Sequence, residues 1–257
     1  MDERRFKVVV LGTTGVGKTC LTLRFAKGVF DQEQLPTIGA AYMTKKISLP
    51  KTNTENKDGK KSTQSQPNTT STPDMDKFLV EIWDTAGQER YEAITPLYYR
   101  SSEAAIIAFD LTSQHSFNKA KEWLKRLRKE RPDPAMPICL AGNKADLYEN
   151  LVAKRKAAEQ ATKPDEAGAD EDANNSTPLP SETDGFDLVD ETEVLEFVKE
   201  NKLKYYQTSA KTGKNITEMF HHLALNLPKK EDKAKKDRMN AGLPLGTSPN
   251  ATDNNCC

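Results

Sequence analysis

Between an apolar run and a helical pattern stands Gly12-Thr-Thr-Gly-Val-Gly-Lys-Thr19, a G-x-x-x-x-G-K-[ST] arrangement with a definite chemistry. Its glycines let backbone N–H groups turn inward around a phosphate, Lys18 supplies a point charge for the β- and γ-oxygens, and the Thr19 hydroxyl can ligate Mg²⁺. The backbone from Thr14 through Gly15, Val16, Gly17 and Lys18 to Thr19 and Cys20 is therefore the expected polyphosphate cradle. A helix starting near Lys18 aims its positive end at the same anion. Further on, Asp84-Thr-Ala-Gly87 places a carboxylate where it can hold a metal-bound water and an amide, that of Gly87, within reach of a γ-phosphate. Gln88 follows, with a side-chain amide suited to orienting an attacking water. Thr37, in Pro36-Thr-Ile-Gly39, lies on a segment free to close over the metal.

Two more segments bear on the choice of base. Asn143-Lys144-Ala145-Asp146 and Ser209-Ala210-Lys211 each follow a strand-like run, so two strand ends can meet on one ring. Guanine presents N1–H and its 2-amino group side by side, and the Asp146 carboxylate can accept from both. Adenine offers a lone pair instead and would leave a charge unpaired, which discriminates strongly.

The elements that must position these residues are legible as an alternation. Strand-like runs at Phe6–Leu11, Tyr42–Leu49, Phe78–Asp84, Ala104–Asp110, Pro137–Gly142 and Lys204–Thr208 are interleaved with helical periodicity at Lys18–Lys27, Tyr91–Arg100, Ser116–Arg131 and Ile216–Leu227. Continuous apolar runs such as Val8–Leu11 and Ala105–Phe109 suit strands buried on both faces of a mostly parallel sheet. The class is α/β, and ligands of such sheets bind at the carboxyl ends of the strands. That is where the segments above fall.

Composition separates this domain from its additions. Lys+Arg and Asp+Glu both number 38, and only 36% of residues are apolar. The polar excess is concentrated at about 51–77, about 154–190 and 229–257. The first two read as disordered insertions in a domain spanning 1–228, and the third as a flexible tail. Between Pro164 and Glu193 there are eleven acidic residues and no Lys or Arg, and Val194, Leu195, Phe197 and Val198 then begin an amphipathic helix. The longest apolar run, Ala104–Phe109, is too short to cross a bilayer. The N-terminus carries no signal-peptide pattern. Four cysteines without a C-x-x-C pair argue against a disulfide framework or zinc cluster, and the balanced charge gives no case for nucleic acid.

In order and spacing, Gly12–Thr19, Thr37, Trp83-Asp-Thr-Ala-Gly-Gln-Glu-Arg90, Asn143–Asp146 and Ser209–Lys211 resemble a Ras-superfamily small GTPase, over Phe6–Pro228 apart from the two insertions. Ile38-Gly-Ala-Ala-Tyr42-Met-Thr, Tyr98-Tyr-Arg100 and the Cys256-Cys257 ending are similar to Rab proteins, and Ile38–Thr44, Glu81–Tyr91 and Ser116–Trp123 to the early-endosomal subgroup. The resemblance implies a P-loop domain with a six-stranded sheet, one strand antiparallel, helices on both faces, and GTP/GDP with Mg²⁺ as ligands. It implies Thr19, Thr37 and Asp84 around the metal, Gln88, Thr37 and Lys18 in hydrolysis, Phe30 stacked on the base, and Tyr42, Trp83 and Tyr98 as an effector surface. It further implies an exchange factor, an activating protein, GTP-dependent effectors, a prenylation escort and a GDP-dissociation inhibitor as partners. Geranylgeranyl groups on Cys256 and Cys257 would anchor the chain on the cytosolic face of endosomal membranes, alongside a soluble pool. The tail's first ten residues hold six basic and three acidic side chains, and as a coil the tail spans roughly 30 Å. With no arginine finger in the chain, turnover is expected on the order of 10⁻⁴ to 10⁻³ per second until an activating protein binds.

The sequence departs from that pattern in places. Thr14 stands where Ras proteins have glycine beside the attacking water, which bears on hydrolysis rather than binding, and Arg100-Ser101 replaces the usual Arg-Gly. A nucleotide-reading scaffold with negligible hydrolysis and a P-loop kinase for a small metabolite share part of the same residue set.

Overall fold

The computed structural model describes residues 3–51, 74–161 and 186–228. The expected insertions fall largely, and the tail entirely, outside these ranges. Six strands form one sheet in the order β2-β3-β1-β4-β5-β6: β1 Arg4–Leu11, β2 Ala40–Pro50, β3 Met75–Thr85, β4 Ala104–Asp110, β5 Ile138–Asn143 and β6 Lys204–Gln207. Only the β2–β3 pairing is antiparallel. The helices are α1 Lys18–Lys27, α2 Thr95–Tyr99, α3 Gln114–Glu130, α4 Ala145–Ala161, α5 Glu191–Glu200 and α6 Ile216–Leu225.

The continuous apolar runs are explained by what lies on each face. Val8 and Val10 of β1, with Ile106 and Ala108 of β4, pack on one side with Leu21 and Phe25 of α1 and Met219, Phe220 and Leu223 of α6. Alternate residues Val9, Leu11, Ala105, Ile107 and Phe109 pack on the other with Phe117, Trp123 and Leu127 of α3 and Val194 of α5. Side chains alternate along a strand, so covering both faces demands that no residue in the run be polar. Phe25 and Phe220 stack with centroids 3.7 Å apart and planes 5° from parallel. This contact fastens α1, and thus the loop before it, to the body of the domain.

Three elements differ from the sequence reading. The helix expected over Tyr91–Arg100 is confined to α2, preceded by a single 3-10 turn at Glu89–Tyr91. Pro96 sits at the start of α2, where its missing N–H is harmless; a helix begun at Tyr91 would set its ring against a carbonyl one turn back. The β2–β3 ladder runs on to Pro50↔Met75, beyond the expected start of the second strand at Phe78, and Lys51 N–H still donates to Asp74 O at 3.0 Å. Helix α4 has no counterpart in the sequence reading and carries regular structure to Ala161, so 154–161 belong to a helix rather than to an excursion. Downstream, the chain rejoins the fold before α5: Asp187 bridges Ser113 in parallel, and Val189 N–H donates to Leu111 O at 3.1 Å.

Candidate functional site

Strand β1 has β3 on one side and β4 on the other, and its carboxyl end opens into the loop Gly12–Gly17. Binding crevices of open α/β sheets form where strand order reverses in this way. Here a cleft of about 490 Å³ runs from Thr14 and Gln88 at one end to Asp146, Ala210 and Lys211 at the other.

At the phosphate end, α1 begins after Gly17, whose φ of 89° is a left-handed conformation that glycine adopts freely. No side chain caps the helix and no acid lies in its first turn. Its first N–H groups are thus left to an anion. Lys18 is buried beside them, its Nζ donating to Thr13 O at 2.9 Å. Burial pulls its pKa down to about 8 against the opposing attraction of Asp84. An incoming phosphate would supply the counter-charge that restores the ammonium.

Three oxygens converge next to it. Thr19 Oγ1 donates to Asp84 Oδ2 at 2.7 Å and lies 2.7 Å from Thr37 Oγ1, which itself donates to Asp84 Oδ2 at 3.4 Å. Burial raises the Asp84 pKa, while the Thr19 hydrogen bond, Lys18 and the Thr37 hydrogen bond act the other way. Its second oxygen, Oδ1, is buried with no hydrogen-bond partner. Two hydroxyls and a half-satisfied carboxylate form a hard, all-oxygen donor set of the kind Mg²⁺ accepts with its remaining waters. When bound, Mg²⁺ would neutralise developing charge between the β- and γ-phosphates.

Gly87 is placed by close approach. A Cβ there would lie 2.4 Å from Lys18 Nζ and 2.5 Å from Thr14 N. Gln88 and Thr14 both line the cleft at this end.

At the base end, Asn143 ties the two halves of the site together. Its Nδ2 donates to Val16 O at 2.8 Å, and its Oδ1 accepts from Ala210 N–H at 3.2 Å. Ser209 Oγ donates to Asp146 Oδ1 at 2.5 Å and accepts from Thr212 N–H at 3.1 Å. The carboxylate is therefore aimed by a hydroxyl that the following turn itself holds. Phe30 and Lys144 also line the cleft.

The structure brings Thr14, Gly15, Gly17, Lys18, Thr19, Cys20, Phe30, Thr37, Gly87, Gln88, Asn143, Lys144, Asp146, Ala210 and Lys211 onto one cleft. Three expected residues stand behind it instead. The Val16 side chain is core, so only its backbone belongs to the site. Ser209 is fully buried and acts through Asp146. Asp84 is fully buried behind the two threonines.

Sequence reasoning passed over Arg24 and Asp110. Arg24 Nε donates to Ala210 O at 2.7 Å and its guanidinium also donates to Lys211 O, holding the base loop from α1. No motif marks it; only its place as a basic residue in the last turn of α1 could have drawn attention to it.

Beyond the cleft, Tyr42, Trp83 and Tyr98 touch in series, with centroids 5.3 and 5.6 Å apart. Tyr42 is exposed, as are Ile38 and Leu97 nearby in the chain. Cys256 and Cys257 lie outside the described residues.

A glycine-bounded loop with a buried lysine, an all-oxygen cluster and a carboxylate aimed by Ser209 thus gather about one cleft at the carboxyl edge of a six-stranded sheet. The Ras family model matches residues 7–229, and the chain belongs to the Ras family, the GTP-hydrolysing small GTPases of signalling and trafficking.

Proposed function

We propose that this chain is a Rab-type GTPase that recruits effectors to endosomal membranes in its GTP state and releases them after hydrolysis. The observation that carries the reading is the join between site and surface. Asp84 stands beside the metal-type hydroxyls, and the preceding residue, Trp83, is the middle ring of the Tyr42–Trp83–Tyr98 patch. Thr37 and Tyr42 are likewise near neighbours on one segment. A γ-phosphate that draws in Thr37 and Gly87 therefore shapes the surface that a partner reads, and its loss relaxes that surface.

In hydrolysis, Lys18 holds β- and γ-oxygens, Gly87 N–H meets the γ-phosphate, and the Gln88 amide orients water for in-line attack, giving GDP and phosphate. Thr14 shares that end of the cleft with Gln88, so its branched side chain bears on where the water sits. An activating protein supplies the missing cation, an exchange factor empties the cleft, and an escort and a GDP-dissociation inhibitor handle geranylgeranyl groups on Cys256 and Cys257.

The test is capture and identification of partners by full-length protein loaded with GTP or GDP, alongside Tyr42→Ala. GTP-selective capture of endosomal trafficking proteins, lost in Tyr42→Ala, is expected. Capture indifferent to nucleotide sinks the proposal.

A further inference from the structure

We propose that Asp110, at the end of β4, is a positioning residue for guanine-nucleotide binding, acting through Lys144. The inference rests on reading the cleft as a guanine-nucleotide site.

Asp110 is buried, and both of its carboxylate oxygens are engaged. Oδ1 accepts from Thr112 N–H at 2.9 Å and from Thr112 Oγ1 at 2.8 Å. Oδ2 pairs with Lys144 Nζ at 2.6 Å. The first pair of bonds closes a turn within the same segment, as short-range Asp contacts often do. The second crosses from β4 to the loop after β5 and reaches a residue that lines the cleft.

Lys144 needs such a hold. Its φ is 63°, a left-handed conformation that costs a side-chain-bearing residue free energy and persists only when its surroundings impose it. Its carbonyl accepts from Leu147 and Tyr148 N–H, both at 3.0 Å, and so starts α4. Its neighbour Asn143 is buried and bridges Val16 and Ala210. With the backbone fixed on both sides, the long, flexible side chain is the one free element of the loop, and Asp110 fixes it. The β4 backbone supports the arrangement: Asp110 is in register with Asn143, and Leu111 N–H donates to Asn143 O at 3.0 Å. The lysine stem is thereby held as a wall of the base end, and the entropy of ordering it is lost in folding rather than on binding.

A merely structural Asp110, serving only the Thr112 turn, makes a different prediction, and a double-mutant cycle separates the two. Dissociation of a fluorescent GDP analogue is measured for wild type, Asp110→Asn, Lys144→Met and the double variant, all as full chains. Asp110→Asn keeps an oxygen for Thr112 and removes the partner of Lys144. It is expected to speed release about two- to fivefold, the scale of a partly exposed pair, while adding little once Lys144 is Met. Equal acceleration in both backgrounds assigns Asp110 to the turn and overturns the proposal, as does an unchanged rate in Asp110→Asn. Should Asp110→Asn not fold, Lys144→Met, which leaves the Thr112 bonds to Asp110 in place, still decides: release as slow as wild type overturns it. Failure of the wild-type chain to bind GDP at all would instead refute the nucleotide reading itself.

Discussion

Replacing Gly87 by alanine tests the geometry of the phosphate end without changing a charge. The added Cβ would meet Thr14 N at 2.5 Å, Thr13 C at 2.6 Å and Lys18 Nζ at 2.4 Å. The lysine tip can swing aside, but the two backbone atoms cannot. To reach ordinary contact near ~3.5 Å one side must give by roughly 1 Å. The phosphate loop is the firmer side, held by Asn143 Nδ2 on Val16 O. Its strand is tied further by Thr85 Oγ1 on Val10 O at 2.7 Å. The Gly87 segment therefore retreats, and its N–H loses the γ-phosphate. A hydrogen bond to a charged group contributes about 1.5–3 kcal/mol, so GTP affinity should fall by roughly 10- to 150-fold. GDP lacks the γ-phosphate and should lose no more than a few-fold. Competition titrations with both nucleotides in Mg²⁺ read the two constants directly. Equal losses for GDP and GTP, or none for GTP, would refute the placement of Gly87.

Other outcomes follow from the same contacts. Asn143→Ala strips partners from the buried Val16 carbonyl and Ala210 N–H; stability should drop by about 2–5 kcal/mol, read by denaturant unfolding, and a loss under 1 kcal/mol would contradict the bridging role. Lys18 has its pKa lowered to about 8 by burial, so nucleotide-free protein above that pH binds GDP with proton uptake; titration calorimetry at pH 8.5 in buffers of different ionisation enthalpy should show it, and no buffer dependence argues against it. The sign for stability runs the same way, since between about 8 and the ordinary 10.5 the unfolded chain holds the extra proton and stability rises with pH. On α6, burial lowers the pKa of both His221 and His222 from 6.5. Their contribution is present above 6.5 and is lost as pH falls through the lowered values, so His221→Gln with His222→Gln should flatten the acid limb of the pH–stability curve.

The site was more legible in the sequence than the frame that holds it. Gly12–Thr19, Asp84–Gln88, Asn143–Asp146 and Ser209–Lys211 are contiguous, so their chemistry survives as local pattern. Asp110 and Arg24 act across the fold on Lys144 and on the Ala210–Lys211 backbone, and nothing adjacent in the chain announces them. Helix α4 escaped because apolar periodicity is the signal for a helix that buries a face. Beyond Leu151 its described residues are mostly exposed, and Ala, Lys and Arg hold it by propensity instead. The extension of β3 over Met75–Lys77 escaped because a hairpin ladder needs backbone groups, which polar Asp76 and Lys77 supply as well as any.

The re-entry of the chain at Asp187–Val189, laid against Leu111 and Ser113, divides the domain unevenly. A protease cut anywhere in 162–185 severs no described strand or helix. The shorter piece would keep β6, α6 and Ser209–Lys211, clasped to its larger counterpart by the β5–β6 rungs and the Phe25–Phe220 stack. Nicked material should therefore co-elute as a two-fragment assembly, with the purine pocket completed in trans.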